Sequence, residues 1–153
     1  VSGRRARRVG VPAVGLTLLL AGGLAGCGED PIERYCEEVR AQQEPLTEAA
    51  AAGATGLLLA LPSFEALRAE APEDLAPAWS VVVSRVSALE EALDAAGIDP
   101  AAYDPEQPPA GLGEEEQAAI EAAASGLLTD AVSEALDSVQ QQARDVCKTP
   151  LSL

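Results

Sequence analysis

Three thiols and a crowd of carboxylates are the side chains of this 153-residue chain that could do chemistry. There is no histidine, so the commonest general base and metal ligand is missing. The acids occur in runs: Glu37-Glu38, Glu90-Glu91 and Glu114-Glu115-Glu116. A glycosidase needs two carboxyl groups facing each other across a cleft, whereas adjacent acids on a helix diverge. Glu114–Glu116 also stand where a helix N-terminus favours negative charge. These runs therefore read as solvated faces and a helix start. Neither a GxSxG turn nor a glycine-rich phosphate loop occurs. Asp99, Asp104 and Glu106 share a proline-rich loop and could hold calcium or magnesium weakly, although their spacing departs from the EF-hand pattern. The expectation is a chain with no catalytic residue, no metal and no cofactor.

The thiols are more informative. Cys27 closes an apolar stretch, Val9–Gly26, that follows Arg4, Arg5, Arg7 and Arg8. A basic start, an apolar run and small residues before a cut form the layout of an export signal. Here Leu24-Ala25-Gly26 runs straight into Cys27, which leaves the thiol placed for lipidation. The segment closely resembles the bacterial lipoprotein signal, or lipobox. That resemblance implies a diacylglycerol on the Cys27 sulfur, cleavage before Cys27, and often acylation of the new amine. Twin-arginine export is the alternative route, but Ala-Arg-Arg-Val after Arg5 fits its pattern poorly. An uncleaved membrane helix is opposed by a short, glycine-broken apolar run.

Removing residues 1–26 leaves about 127 residues, enough for one domain with a real core. The four leader arginines are lost from ten basic residues, and all 25 acidic residues stay. The mature chain then carries a net charge of about −19, which repels nucleic-acid phosphates and anionic headgroups. No nucleic-acid partner is expected, and the membrane attachment must come from the lipid, two or more acyl chains holding stably where one is marginal. Alanine makes up roughly a fifth of the chain, above ordinary usage. Lysine is nearly absent and methionine is absent, so Val1 reads as an alternative start codon. Together these features suggest a high-GC bacterium.

With Cys27 lipidated, Cys36 and Cys147 remain, and an oxidising compartment should pair them. Both lie on apolar helical stripes, Cys36 with Ile32, Tyr35 and Val39, and Cys147 after Val132, Leu136, Val139 and Ala143. Two buried free thiols are the bland alternative. A zinc site is incomplete with two thiolates and no histidine.

The mature chain reads as all helix, since no stretch alternates like a strand. Asp30, Pro31 and Glu33 give a cap, a first-turn proline and a capping-box acid. The first helix is expected over 31–52, with a kink or break at Pro45, and the second over 55–70, bent at Pro62. Pro72 opens the third, whose stripe is Trp79, Val82, Val83, Val86, Leu89, Leu93 and Ala96. Gly97 caps it. Residues 98–113 form a long connection with a helical turn near 101–103. The last helix spans 114–147 with a stripe including Ile120, Leu127, Leu128 and Val132, and a possible break at Ser125-Gly126. Leu57, Leu58, Leu61, Phe64 and Leu67 are expected in the core rather than around a ligand. Trp79 and Tyr35 are expected as core anchors, while Tyr103 sits in a loop and could be exposed. Cys36 lies near the start of the first helix and Cys147 at the end of the last. An even number of spanning helices brings them together, so the fold is expected to be an up-and-down bundle of about four kinked helices closed by one disulfide.

Tyr35-Cys36 followed by Val39, Ala71-Pro72-Glu73-Asp74-Leu75 leading to Trp79, and Ala143-Arg144-Asp145-Val146-Cys147 complete the pattern. With the lipobox, they resemble a group of small actinobacterial lipoproteins of unassigned function. The resemblance implies an architecture and carries no activity. The expectation is a lipid-anchored protein on the extracytoplasmic face of the membrane: residues 1–26 removed, 27–30 a lipidated cysteine and short tether, 31–153 one helical domain. Its role would be to bind a protein partner or scaffold a complex. A carrier of a small apolar or lipid ligand is the second expectation, and a carboxylate-dependent cell-wall hydrolase the remote third.

Overall fold

A computed structural model describes residues 30–105, 107 and 110–152. The leader, the lipobox residues Leu24, Ala25 and Gly26, and Cys27 itself lie outside the described residues. Helix α1 spans Pro31–Ala41 and starts as its sequence dictates. The Asp30 carboxylate accepts the Ile32 N–H at 2.8 Å, and Pro31 occupies the first turn, where a missing N–H costs nothing.

In place of four continuous helices, the described residues form seven α-helices and two short 3₁₀ turns, with no strand among them. The expected first helix divides at Gln42 into α1 and α2, Gln43–Ala51. The break falls before Pro45 rather than on it. Proline cannot sit beneath the carbonyl four residues back, but it is accepted in a first turn, so the chain restarts its helix just upstream. The expected second helix divides at Ala60 into α3, Gly56–Leu59, and α4, Leu61–Glu70, with Pro62 again in a first turn. Gly53, at φ +67°, and the 3₁₀ turn Gly53–Thr55 reverse the chain between α2 and α3.

Helix α5, Ala76–Ala95, begins four residues after Pro72, because residues 72–75 form a turn in which the Leu75 N–H reaches the Pro72 carbonyl at 2.9 Å. It ends with Gly97 at φ +69°, where Ile98 N–H bonds the Leu93 carbonyl and Gly97 N–H the Asp94 carbonyl, both at 2.9 Å. That paired arrangement is the Schellman cap expected of a helix-terminal glycine. Residues 98–113 are a connection holding one 3₁₀ turn, Pro100–Ala102. The last expected helix divides into α6, Glu114–Leu127, and α7, Asp130–Asp145. Its break lies at Leu128-Thr129, three residues beyond Ser125-Gly126. Leu128 is consequently 88% exposed and belongs to no stripe, contrary to the periodicity reading.

Helix α5 is the hub, packing against α3, α4, α6 and α7, while α1 lies on α4 and α2 on α3. Trp79, Val82, Val83, Val86, Leu89 and Leu93 of α5 are all buried. Tyr103, which the sequence left open to solvent, is also buried in the core cluster. The Cys36–Cys147 disulfide is present, with Cα atoms 5.0 Å apart across a sequence separation of 111 residues. It joins the middle of α1 to the residues just after α7.

Candidate functional site

Several carboxylates cap turns or pair with neighbouring side chains. Glu38 accepts a hydrogen bond from Gln42 Nε2 at 2.7 Å. Glu114, Glu115 and Glu116 occupy the first turn of α6, and the Glu116 carboxylate accepts the Gly113 N–H at 2.9 Å. This is one half of a capping box, since glycine offers no side chain to complete it. Asp99 caps the Pro100–Ala102 turn through the Ala101 N–H at 2.9 Å. Asp104 accepts from Gln107 Nε2 at 3.1 Å. Glu106 lies outside the described residues, among which no cluster of His, Cys, Asp or Glu is arranged to hold a metal ion. Arg34 and Glu70 link α1 to α4 at 3.9 Å, an exposed pair contributing little.

At the disulfide end, three aromatic residues from three helices meet. Trp79 Nε1–H donates to the Tyr35 hydroxyl at 3.0 Å, and the Trp79 and Phe64 ring centroids are 5.8 Å apart at 38°. All three side chains are fully buried. Burial pushes the Tyr35 phenol up to about 12, with the Trp79 hydrogen bond pulling weakly the other way. An indole N–H and a phenol that satisfy each other allow both rings into an apolar core. This cluster is a structural anchor, as expected of Trp79 and Tyr35.

A surface feature beside the C-terminal half of α2 has the form of a site. A groove of about 260 Å³ is lined by Leu46 and Ala50 of α2, Leu57 of α3, Ala60 and Phe64 at the start of α4, and Ser152 of the C-terminal segment. Two stretches of chain build it, residues 46–64 and the C-terminal segment. The C-terminal segment is held along α2 by Gln43 Nε2 donating to the Pro150 carbonyl at 3.1 Å and by the Thr47 and Ser152 hydroxyls at 3.1 Å. Leu151 is buried beneath it. Gly56 lets α3 approach α2 closely, since a Cβ there would come within 2.5 Å of the Ala49 carbonyl oxygen.

Sequence reasoning assigned Leu57 to the core, yet it is 39% exposed on the groove rim, and Leu59 is 45% exposed on another side of the same turn. The clue was present. Leu57-Leu58-Leu59 is a run of three leucines, and successive helical residues turn about 100° apart, so one buried face cannot take all three. Leu58 is the one that packs inward.

Fold and site together define an all-α, disulfide-closed protein with an apolar surface groove. No known protein family, curated protein or solved structure matches the chain. No helix among the described residues is long and apolar enough to cross a membrane.

Proposed function

We propose that this is a lipoprotein, anchored through Cys27 on the extracytoplasmic face of the cell membrane, whose helical domain binds a protein partner or scaffolds a complex and catalyses no reaction. The observation that carries the reading is Leu24-Ala25-Gly26-Cys27 at the end of an arginine-led apolar run. Two further features support it. Asp30 caps α1 directly, so four residue steps of at most about 14 Å separate Cys27 from the domain. The domain therefore sits against the bilayer with its disulfide end nearest. The bridge between Cys36 and Cys147 suits an oxidising compartment. Within this reading the seven helices act as four rods of an up-and-down bundle, α1–α2, α3–α4, α5 and α6–α7.

Replacing Cys27 with Ala tests the anchor. The parent should sediment with membranes and show an intact mass for residues 27–153 plus acyl groups. The variant should appear in the soluble fraction or remain unprocessed. Unchanged membrane retention of an unacylated variant refutes the reading.

A further inference from the structure

We propose that the groove between α2, α3–α4 and the C-terminal segment binds the aliphatic chain of a small amphiphile with an uncharged polar head. The site goes beyond the anchored-scaffold reading and does not depend on the anchor.

The argument starts from composition. The chain has 25 acidic residues and a net charge of −15, yet no charged side chain lines this groove among the described residues. Its walls are leucine, alanine, glycine and phenylalanine, with Ser152 alone contributing a hydroxyl. Ligand sites are typically concave and mostly apolar with a few placed polar groups, and this groove has that make-up. Size sets the occupant. Its volume of about 260 Å³ exceeds the roughly 150 Å³ cavity that admits benzene and falls below the ~300–1,000 Å³ of drug-sized sites. One alkyl chain suits it; a multi-ring ligand or a two-chain lipid does not. The Ser152 hydroxyl, bonded to that of Thr47, stands at one wall and can hydrogen-bond an alcohol or ester head. The acidic surface disfavours an anionic head. Leu57 leaves apolar surface open at the rim, where the entering chain would cover it.

The test uses the full chain in the membranes of producing cells, with a decanol analogue carrying a diazirine on its alkyl chain. After irradiation, label should map to the groove residues of α2, α3–α4 and the C-terminal segment, and excess decanol should compete it away. Ala50 lines the groove but is exposed, so Ala50→Trp fills the space without overpacking the core. Labelling should fall at least tenfold in this variant and stay unchanged in Ala51→Trp, an exposed neighbour absent from the groove lining. Should Ala50→Trp fail to fold, Leu57→Gln on the exposed rim should weaken labelling at least threefold. Label that is absent, lies elsewhere or is indifferent to both groove variants overturns the proposal. So does equal labelling by the decanoic acid analogue, which would show that the head is not selected. Groove labelling by a bilayer-resident diazirine phosphatidylcholine, in place of the free probe, would make the groove a membrane-insertion patch and also overturn it. Membrane retention is scored in the same samples, so failure of the anchor is read separately from failure of the site.

Discussion

The two ends of this molecule are built on different physical terms. At the disulfide end, the chain is closed covalently, and Tyr35, Trp79 and Leu67 are entirely buried around the start of α5, with Phe64 reaching from Trp79 to the groove wall. At the groove end, the backbone does the shaping. Gly53 reverses the chain, Gly56 permits a close helix approach, α3 is a single turn, and none of α2, α3 and α4 begins with a side-chain cap. The contrast teaches that a small acidic domain can concentrate its stability at one end and leave the other end free to keep apolar surface open. Regions with few buried contacts open at lower free energy than a packed core. The groove end should exchange its amide hydrogens faster than the disulfide end.

The sharpest way to break the comparison is to remove the bridge. Replacing both Cys36 and Cys147 with Ala leaves no orphan thiol and frees a loop of over a hundred residues. Chain entropy puts the loss at up to about 4–5 kcal/mol, the upper expectation for such a loop. Urea unfolding read by circular dichroism should show the midpoint fall accordingly, and the disulfide end should lose its exchange protection first. A change below about 1 kcal/mol would show that packing alone holds that end.

Trp79→Ala comes next. A fully buried indole removed from a packed core costs about 3–5 kcal/mol, and the Tyr35 hydroxyl loses its donor. Trp79 is the sole tryptophan, so the unfolding of the variant must be followed by circular dichroism rather than by fluorescence. Trp79→Phe keeps most of the volume and should cost less.

The same cluster gives a pH dependence. The Tyr35 phenol is pushed up to about 12 in the folded chain against 10.0 for its ordinary value. The unfolded chain then releases this proton first as the pH rises. Stability is unaffected below about pH 10 and falls between about 10 and 12, by roughly 2–3 kcal/mol in all. Urea midpoints at pH 9 and pH 11 should diverge for the parent, and Tyr35→Phe should remove this part of the fall. An identical slope in the variant would show that Tyr35 does not titrate late.

How far the sequence reaches follows the same division. The disulfide end was legible: Asp30 and Pro31 marked the start of α1, the α5 stripe from Trp79 to Leu93 was buried as its spacing required, and the parity of the thiols led to the observed bridge. Local rules suffice there, because a cap, a stripe and a cysteine pair each carry their signal in spacing. Pro45 and Pro62 announced breaks but not their positions, because proline excludes helix upstream of itself while being accepted in the first turn. Leu128 fitted the stripe on paper and lies outside it because the helix ends one residue earlier. The groove was not legible at all as a groove. It needs Leu46, Leu57 and Ser152 side by side, from segments whose contact only the tertiary fold decides.

The two groove-end glycines sharpen the comparison at the smallest scale, because they fail for opposite reasons. Gly56 has ordinary helical angles, φ −55° and ψ −41°, so alanine gains up to about 1 kcal/mol in helix propensity. Its Cβ would nevertheless lie 2.5 Å from the backbone oxygen of Ala49, and backbone cannot rotate away as a side-chain tip can. Helices α2 and α3 must separate, at a cost of about 1–3 kcal/mol before that gain is set against it. Gly53 has open space around its missing Cβ but holds φ +67°, which an L-residue enters at a cost of about 1–2 kcal/mol. Alanine there also restricts the unfolded chain, which offsets about 0.4–1 kcal/mol, so the net loss is about 0–1.6 kcal/mol. Thermal melts of Gly56→Ala and Gly53→Ala should therefore separate, with Gly56→Ala the lower. The Gly56 variant alone should alter amide exchange in α2, since it moves that helix, whereas Gly53→Ala strains only its own turn. Equal melting points with unchanged α2 exchange would mean that the close approach of α2 and α3 does not shape this end of the molecule.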